Sequence, residues 1–402
     1  MYRLVQINIT ANWGSTGRIA ENLGKTIMEH SWESYIAYGT NMLFCSSHLY
    51  HIGNRGGIYR HVLQTRLFDR HGLGSQKATK DLIKYIEALK PDIIHLHNIH
   101  GYYLNYPILF KYLSQGNVPV VWTLHDCWSF TGHCAYYDYA KCDRWMTGCH
   151  DCPQKRSYPA SLFLDNSKKN YRTKKHWFNS VDNLTLVPVS EWLAGEVRKS
   201  FLGGKTVRVI HNGIDTEIFR PHAVDKKRFG LEEKFVVLAV ASVWEPRKGL
   251  PDIIRLREIL SEDYGIVVIG LNQHQMQDLP NGIRGVSRTD DVHELVEYYS
   301  VADAFVIPTW EDNFPTVNLE ALACGTPVVT YRTGGSVETI DENTGFVVEK
   351  GDVQAMADAI SAIKTKGKGS YSQACRERAV KLFNKKDRNA DYISLYQELL
   401  DR

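Results

Sequence analysis

Residues 302–338 read ADAFVIPTWEDNFPTVNLEALACGTPVVTYRTGGSVE. Ala304 to Ile307 is a short apolar run of strand type, and Pro308 turns it into an acidic loop. A short helix then carries Glu320 and stops at Gly325, and a second strand, Val328 to Tyr331, ends in Gly334–Gly335. Strand, loop and helix N-terminus is how α/β proteins hold a phosphate, because free backbone N–H groups and the positive end of the helix dipole face the anion. Two carboxylates follow eight residues apart, Asp312 in the loop and Glu320 in the helix. Carboxylates beside a phosphate site suit hydroxyl groups rather than the phosphate itself. The stretch therefore predicts a ligand with both phosphate and diol, such as a nucleotide sugar.

Working outward, 402 residues predict two domains, each large enough for its own core. A hydrophobic content of 43% and a charged content of 23% describe an ordinary globular chain. The net charge of +3 is too mild to argue for nucleic acid as a partner. The opening MYRLVQINI enters a strand pattern with no secretory signal, and no run approaches the roughly 20 apolar residues of a membrane span. A cytoplasmic setting with reduced cysteines is the expectation.

Short β-branched runs alternate with longer amphipathic stretches, the signature of parallel α/β layers. Strands are expected at Arg3–Ile9, Ser34–Tyr38, Ile93–Leu96, Val118–Leu124 and Leu184–Val189, with helices at Thr16–His30, Gln76–Leu89 and Glu191–Phe201. After a polar stretch at Arg220–Gly230 the alternation restarts with Phe235–Val240, Tyr264–Ile269, Ala304–Ile307, Val328–Tyr331 and Gly345–Val348. The expected organisation is an N-terminal Rossmann-like domain over 1–219 with a cysteine-rich insertion at about 127–152. A C-terminal Rossmann-like domain follows over 220–385, and a last helix over 386–402 packs back on the first. Two such domains imply a cleft, with ligands at the carboxyl ends of the strands.

No G-x-G-x-x-G follows any strand, which weakens a dinucleotide-dehydrogenase reading. The first glycine loop is Gly14-Ser15-Thr16-Gly17-Arg18, between strand and helix, where small residues let a ligand approach the backbone. A plain tight turn is the alternative. Arg247 and Lys248 stand at the tip of ASVWEPRKG (241–249) after a strand, where a cation can neutralise a diphosphate leaving group. His125, in TLHDCW, lies just past another apolar strand and is placed for polar contacts or proton handling.

The set Gly14–Gly17, His125, Asn212-Gly213-Ile214-Asp215, Glu245-Pro246-Arg247-Lys248-Gly249, Asp312-x7-Glu320 and Gly334-Gly335-x-x-Glu338, in this order, resembles the family 4 retaining glycosyltransferases of GT-B fold. The wording of GSTGRI, HDCWSFTG, CDRWMTGC, WEPRKG and EDNFPTVNLEA is similar to the bacterial branch that builds capsule, colanic-acid-type or other surface polysaccharides. The resemblance implies a retaining hexosyltransferase-type enzyme with a UDP- or GDP-linked donor, a glycan or lipid-linked acceptor and no catalytic cofactor. It implies that Lys248 contacts the donor diphosphate, Glu320 the ribose, Asp312 the donor sugar, and His125 that sugar from the first domain. Arg247, Asn313 and Phe314 fall with them on the donor side, and Gly334–Gly335 border the diphosphate. Gly17 lines the acceptor and phosphate side, with Gly14, Ser15, Thr16 and Arg18.

Two departures stand out. The first member of the family's E-x7-E pair is Asp312 here, and the arginine expected six residues before the lysine is Ser242. Arg247 and Arg332 are the candidates to replace that cation. Asp290–Asp291 reads as a loop before a helix rather than a D-x-D metal site.

Cys134, Cys142, Cys149 and Cys152 are spaced x7, x6 and x2, so that one C-x-x-C and two further thiols could close a structural zinc site; buried free thiols are the alternative. Basic residues concentrate at Arg55, Arg60, Arg66, Arg70, Lys77 and Lys80, and again at Lys168, Lys169, Arg172, Lys174 and Lys175. With Leu67, Phe68, Phe163, Trp177 and Phe178 interleaved, they suggest peripheral contact with an anionic membrane surface, the alternative being a solvated face. Readings that compete with the transferase are a nucleotide-sugar epimerase or phosphorylase, a non-catalytic nucleotide-binding subunit, and a zinc-stapled interaction protein.

Overall fold

Long apolar runs fold as fully covered strands wherever helices lie on both faces of a parallel sheet, and both halves of this chain do so. The computed structural model describes residues 1–289 and 291–402; the reading made for Asp290 lies outside them. The chain divides into two units, Met1–His211 with Asn389–Arg402, and Asn212–Arg388.

The first unit is built on β1 (Arg3–Asn8), β2 (Glu33–Tyr38), β3 (His48–His51), β4 (Ile93–Leu96), β5 (Val120–Leu124), β6 (Leu184–Pro188) and β7 (Thr206–Val207). They pair in parallel in the order β3-β2-β1-β4-β5-β6-β7. Every residue of β4, β5 and β6 is buried, whereas the edge strand β3 exposes both of its histidines. The helix Lys385–Leu400 places Tyr392, Ile393, Leu395 and Tyr396 in a buried cluster with Leu4, Ile93, Val121 and Val187. Tyr396 Oη lies 2.6 Å from His95 Nδ1, and Tyr392 Oη lies 2.8 Å from Thr123 Oγ1.

The second unit carries β8 (Phe235–Val240), β9 (Tyr264–Ile269), β10 (Ile283–Val286), β11 (Ala304–Ile307), β12 (Val328–Tyr331) and β13 (Gly345–Val348), again all parallel, in the order β10-β9-β8-β11-β12-β13. Strand order reverses at β1/β4 in the first sheet and at β8/β11 in the second. Open parallel sheets bind ligands outside such switch points, at the carboxyl ends of the strands.

Several elements lie outside the sequence reading. The helix Arg55–Phe68 buries only His61 and Thr65, so no apolar stripe announces it. The helices Tyr106–Leu113 and Ser167–Asn179 and the half-exposed strand β10 are further additions. The stretch Arg220–Gly230, read as a linker, lies within the second unit and includes the 3-10 turn Lys226–Phe229, whose Phe229 packs on Tyr298 at 4.5 Å. Asp291 caps the helix Val292–Val301 by accepting the N–H groups of His293 (2.7 Å) and Glu294 (2.9 Å), in keeping with a loop before a helix.

Candidate functional site

At the β8/β11 switch point two loops meet. The loop after β8 turns through Pro246–Lys248 into Gly249, which has φ 78° and opens the helix Leu250–Ile259. A Cβ at Gly249 would lie 2.0 Å from the Pro308 carbonyl oxygen, so only glycine lets this loop lie against the one after β11. Arg247 clamps the two together. Its guanidinium donates to the Glu311 carbonyl at 3.0 Å and to Glu245 at 3.0 Å, while its own carbonyl accepts the N–H of Trp310 at 2.8 Å. Lys248 Nζ is thereby brought to Oδ2 of Asp312 in a half-buried ion pair.

Behind them the helix Thr316–Ala323 begins with no side-chain cap from Pro315. Glu320, in that helix, accepts a 2.8 Å hydrogen bond from Tyr299 Oη, whose ionisation is suppressed first by burial and then by the carboxylate. The helix is anchored from below, because Asn318 Nδ2 donates to Ser336 (3.1 Å) and Thr339 (2.9 Å) of the turn Gly334–Thr339. Gly334 and Gly335 thus start a turn fixed to the same helix that carries Glu320. The site gathers a cation, two carboxylates, a helix start and a glycine turn around the ends of β8, β11 and β12.

Some expected residues have other surroundings. Phe314 is buried and packs its ring on Phe383 at 5.8 Å, so its side chain belongs to the core. Asn313 is also buried. Ser242 is exposed after β8. Arg332, a candidate to replace the missing arginine, is paired with Glu349 at 2.6 Å, whereas Arg247 stays at the loop junction.

In the first unit, the Gly14–Arg18 loop opens the helix Gly14–Glu29 after β1, again with no side-chain cap at Trp13. Gly17 is buried and its carbonyl accepts the N–H of Asn12 at 3.1 Å; Thr16 Oγ1 meets Asn8 Nδ2 at 3.3 Å; Gly14, Ser15 and Arg18 are exposed. His125 follows β5 and is half-buried. Gln6 donates its amide N–H to Ala20, so its Oε1 accepts from His97 Nε2 at 3.0 Å. His97 Nδ1 is then an acceptor, and His125 Nε2 donates to it at 3.3 Å. Burial lowers the pKa of His125 to about 4 against the opposing pull of Asp126, so the ring is neutral near pH 7. In its neutral form the ring offers hydrogen bonding. Asp126 Oδ2 is engaged by His100 Nε2 at 2.8 Å, and burial, which would raise its pKa, is outweighed by that histidine. Neither Gln6, His97 nor Tyr299 was singled out in the sequence. The H-x-H of IIHLHNIH, crossing the end of β4, was the available signal for His97.

The four cysteines Cys134, Cys142, Cys149 and Cys152 line one cavity with His133. Two residues of the expected basic and aromatic surface lie inside instead: Lys174 donates to the carbonyls of Trp128 and Thr131, and Phe178 packs between Phe110 and Trp122. No described helix is long and apolar enough to cross a membrane.

With this geometry in hand, comparison with known proteins is informative. The description Glycosyltransferase Family 4 matches residues 39–218, and Glycosyl transferases group 1 matches residues 234–365. The chain belongs to the family 4 glycosyltransferases. Over 98% of its length it is 24% identical to the colanic acid biosynthesis glycosyl transferase WcaC of Escherichia coli K12, all of which is covered. It is 32% identical to the D-inositol 3-phosphate glycosyltransferase of Saccharomonospora viridis, in a match spanning 48% of this chain and 50% of that protein. Among solved structures, sucrose-phosphate synthase from Thermosynechococcus elongatus is similar with a TM-score of 0.74 at 17% identity, covering 100% of both chains. HepE of Anabaena, in complex with UDP, is similar with a TM-score of 0.69 at 14% identity, covering 99% of this chain and 100% of that one. This family 4 enzyme has the GT-B arrangement of two Rossmann-like α/β units in one chain.

Proposed function

We propose that this glycosyltransferase moves a sugar from a nucleoside-diphosphate donor to a hydroxyl of a growing glycan or lipid-linked acceptor, with retention at the anomeric carbon. The observation that carries the reading is the Lys248–Asp312 ion pair at the β8/β11 switch point, with Glu320 in the helix that follows the Asp312 loop. In this reading Lys248 and the start of the helix Thr316–Ala323 stabilise charge growing on the departing diphosphate as the glycosidic bond breaks. Glu320, oriented by Tyr299, accepts from the ribose hydroxyls, and Asp312 accepts from the donor sugar. Arg247 serves by holding the two loops in register rather than by replacing the arginine absent at Ser242. Retention follows if the leaving phosphate takes the acceptor proton on the face it departs from. Neutral His125, with its tautomer set by His97, hydrogen-bonds the transferring sugar, and the Gly14–Arg18 loop receives the acceptor.

A UDP-linked donor is the first choice, because HepE structures of the same fold hold UDP and UDP-glucose. Surface-polysaccharide synthesis on the cytoplasmic face is the proposed setting, supported by the end-to-end similarity to WcaC. Contact with an anionic membrane surface is supported by Tyr59, Leu63 and Phe163, which are 73%, 58% and 67% exposed, near Arg55, Arg60 and Arg70. Leu162 donates its N–H to the Arg66 carbonyl at 2.8 Å, joining the Phe163 loop to the helix Arg55–Phe68.

Thermal-shift titration with UDP- and GDP-sugars, followed by donor hydrolysis, tests the reading. One donor is expected to raise Tm and to turn over slowly; saturation at about 100 Kd adds about 2.7 kcal/mol. Binding without turnover in the presence of acceptors would favour a non-catalytic subunit, and no binding would remove the donor-site assignment.

A further inference from the structure

Between the end of β5 at Leu124 and the helix that starts at Ser167, the chain contains no described helix or strand. Yet Trp128, Phe130, Cys134, Tyr137 and Trp145 in that segment are buried. A connection so long without a hydrogen-bonded ladder needs another source of order.

The chemistry inside it is concentrated. The Cys134 thiol is hydrogen-bonded to the sulfur of Cys152. Cys149 Sγ accepts the N–H of Gly132 at 3.1 Å, and Cys152 accepts the N–H of Gln154. At Cys149 the Gly132 N–H works against burial, which pushes the thiol up to about 11, so the thiolate forms as a metal binds rather than beforehand. Cys142 opens onto the same cavity. Gly132 is indispensable to this contact, since a Cβ there would lie 2.6 Å from the Cys149 Cβ and 2.3 Å from the Ser167 carbonyl oxygen.

Two further groups face the sulfurs. His133 is buried, its Nδ1 lies 2.6 Å from Asp69 Oδ1, and its Nε2 has no hydrogen-bond partner. A histidine held by a carboxylate on one nitrogen, with the other turned toward a ligand cluster, is an arrangement found around metal centres. Lys174 is the second. It is buried, bonded to the Trp128 and Thr131 carbonyls at 2.6 and 3.0 Å, and its charge, opposed by burial, is supported by the nearby Cys149 and Cys134 sulfurs. Four free thiols would leave the His133 nitrogen orphaned and this buried cation without thiolate charge to oppose it.

We propose that Cys134, Cys142, Cys149 and Cys152 bind one structural zinc ion as four thiolates, with His133 Nε2–H donating to the sulfur of Cys152 from outside the ligand shell. Four thiolates around zinc carry a net charge of −2, which the Lys174 ammonium offsets in part, while the net-neutral Asp69–His133 pair ties the cluster to the protein. Among the described residues no three such side chains already stand at metal-binding distances, so binding draws the sulfurs inward to about 2.3 Å from the ion. The four thiol protons leave as zinc enters, and nothing is oxidised. With every position filled by sulfur, the ion is not catalytic. It fixes the segment that begins at His125 and Asp126.

The test is metal analysis of the full chain purified under reducing conditions, with the mercurial-induced release of zinc followed by a colorimetric chelator. One zinc per chain, released in step with four thiols, is expected. Cobalt substitution should give thiolate charge-transfer bands and the d–d positions of four sulfurs. His133→Gln should keep one zinc but lose it to a chelator about 10-fold faster, while Cys45→Ser, away from the cluster, should change nothing. A metal-free chain in which all eight cysteines titrate as free thiols, with unchanged stability, overturns the proposal. So does a Cys134–Cys152 disulfide found by mass spectrometry, or a cobalt spectrum with a nitrogen ligand together with full zinc in Cys142→Ser.

Discussion

Lys248 Nζ and Asp312 Oδ2 form an ion pair between residues 64 apart in sequence, one from the loop after β8 and the other from the loop after β11. Parallel topology brings their loops to the same end of the sheet, because both strands end at the same switch point, and Gly249 and Arg247 then hold the loops together. The pair holds the lysine in the loop junction and offsets the Asp312 charge that would otherwise repel a diphosphate. Lys248→Ala is expected to lower kcat/KM by about 10²–10³-fold, the range for loss of one stabiliser of developing charge. Part of the binding loss in that variant comes from the exposed Asp312 carboxylate. The double variant with Asp312→Ala should therefore regain donor affinity but not turnover. Recovery of both in steady-state kinetics would place the lysine outside the chemistry.

Glu320 and Tyr299 make a second relationship with a measurable consequence. The buried phenol fixes the carboxylate by a 2.8 Å hydrogen bond. Glu320→Ala should abolish the thermal shift given by UDP alone, since the contact proposed is to the ribose. Tyr299→Phe removes only the orienting bond and should weaken UDP by about 0.5–1.5 kcal/mol, or roughly 2–12-fold in Kd by calorimetry. Equal effects of both variants on a UDP-sugar, with none on UDP, would put Glu320 on the sugar instead.

Much of the candidate site was legible in the sequence because it is local. Pro308, Asp312, Glu320 and Gly334 lie within 27 residues, and the buried parallel strands on either side read as unbroken apolar runs. The supporting residues were not legible, since Tyr299 reaches Glu320, and Gln6 reaches His97, through tertiary packing rather than through spacing. Phe314 adds what spacing does not tell: it adjoins Asp312 and Asn313 in sequence, yet its buried ring packs on Phe383. The helix Arg55–Phe68 escaped because its exposed apolar residues, Tyr59 and Leu63, follow no buried stripe.

Buried neutral histidines predict acid lability. Desolvation depresses the pKa of His61 to about 4, of His95 to about 3 and of His125 to about 4. Unfolded, each would titrate near 6.5. Below that value the unfolded chain binds protons that the folded chain refuses, so stability is complete above pH 6.5 and falls as pH drops toward 4. Each group should cost on the order of 1–2 kcal/mol by pH 5. Urea denaturation at pH 7.5 and 5.0 is expected to show a lower midpoint at the acid end. His95→Gln should reduce that difference, at the expense of the Tyr396 hydrogen bond. A midpoint unchanged between the two pH values would mean that these rings are solvated and protonated in the fold.

Two glycine substitutions separate loop geometry from general helix effects. Gly249 sits at φ 78° with the Pro308 carbonyl oxygen 2.0 Å from where a Cβ would be. Alanine there meets both a strained backbone and a carbonyl that cannot move without carrying the loop to Asp312. Gly249→Ala should destabilise the chain by about 2–4 kcal/mol. It should also weaken donor binding beyond what the lower stability explains, because the Lys248 and Asp312 loops are forced apart. Gly195, inside the helix Glu191–Lys199, has no atom within 4 Å of a Cβ position and ordinary helical backbone. Gly195→Ala should stabilise by about 0.5–1 kcal/mol and leave donor binding alone. Calorimetric donor titrations on both variants, at a temperature where each is folded, provide the check. A Gly249→Ala protein that binds donor like wild type would show that the two loops are held together by Arg247 alone.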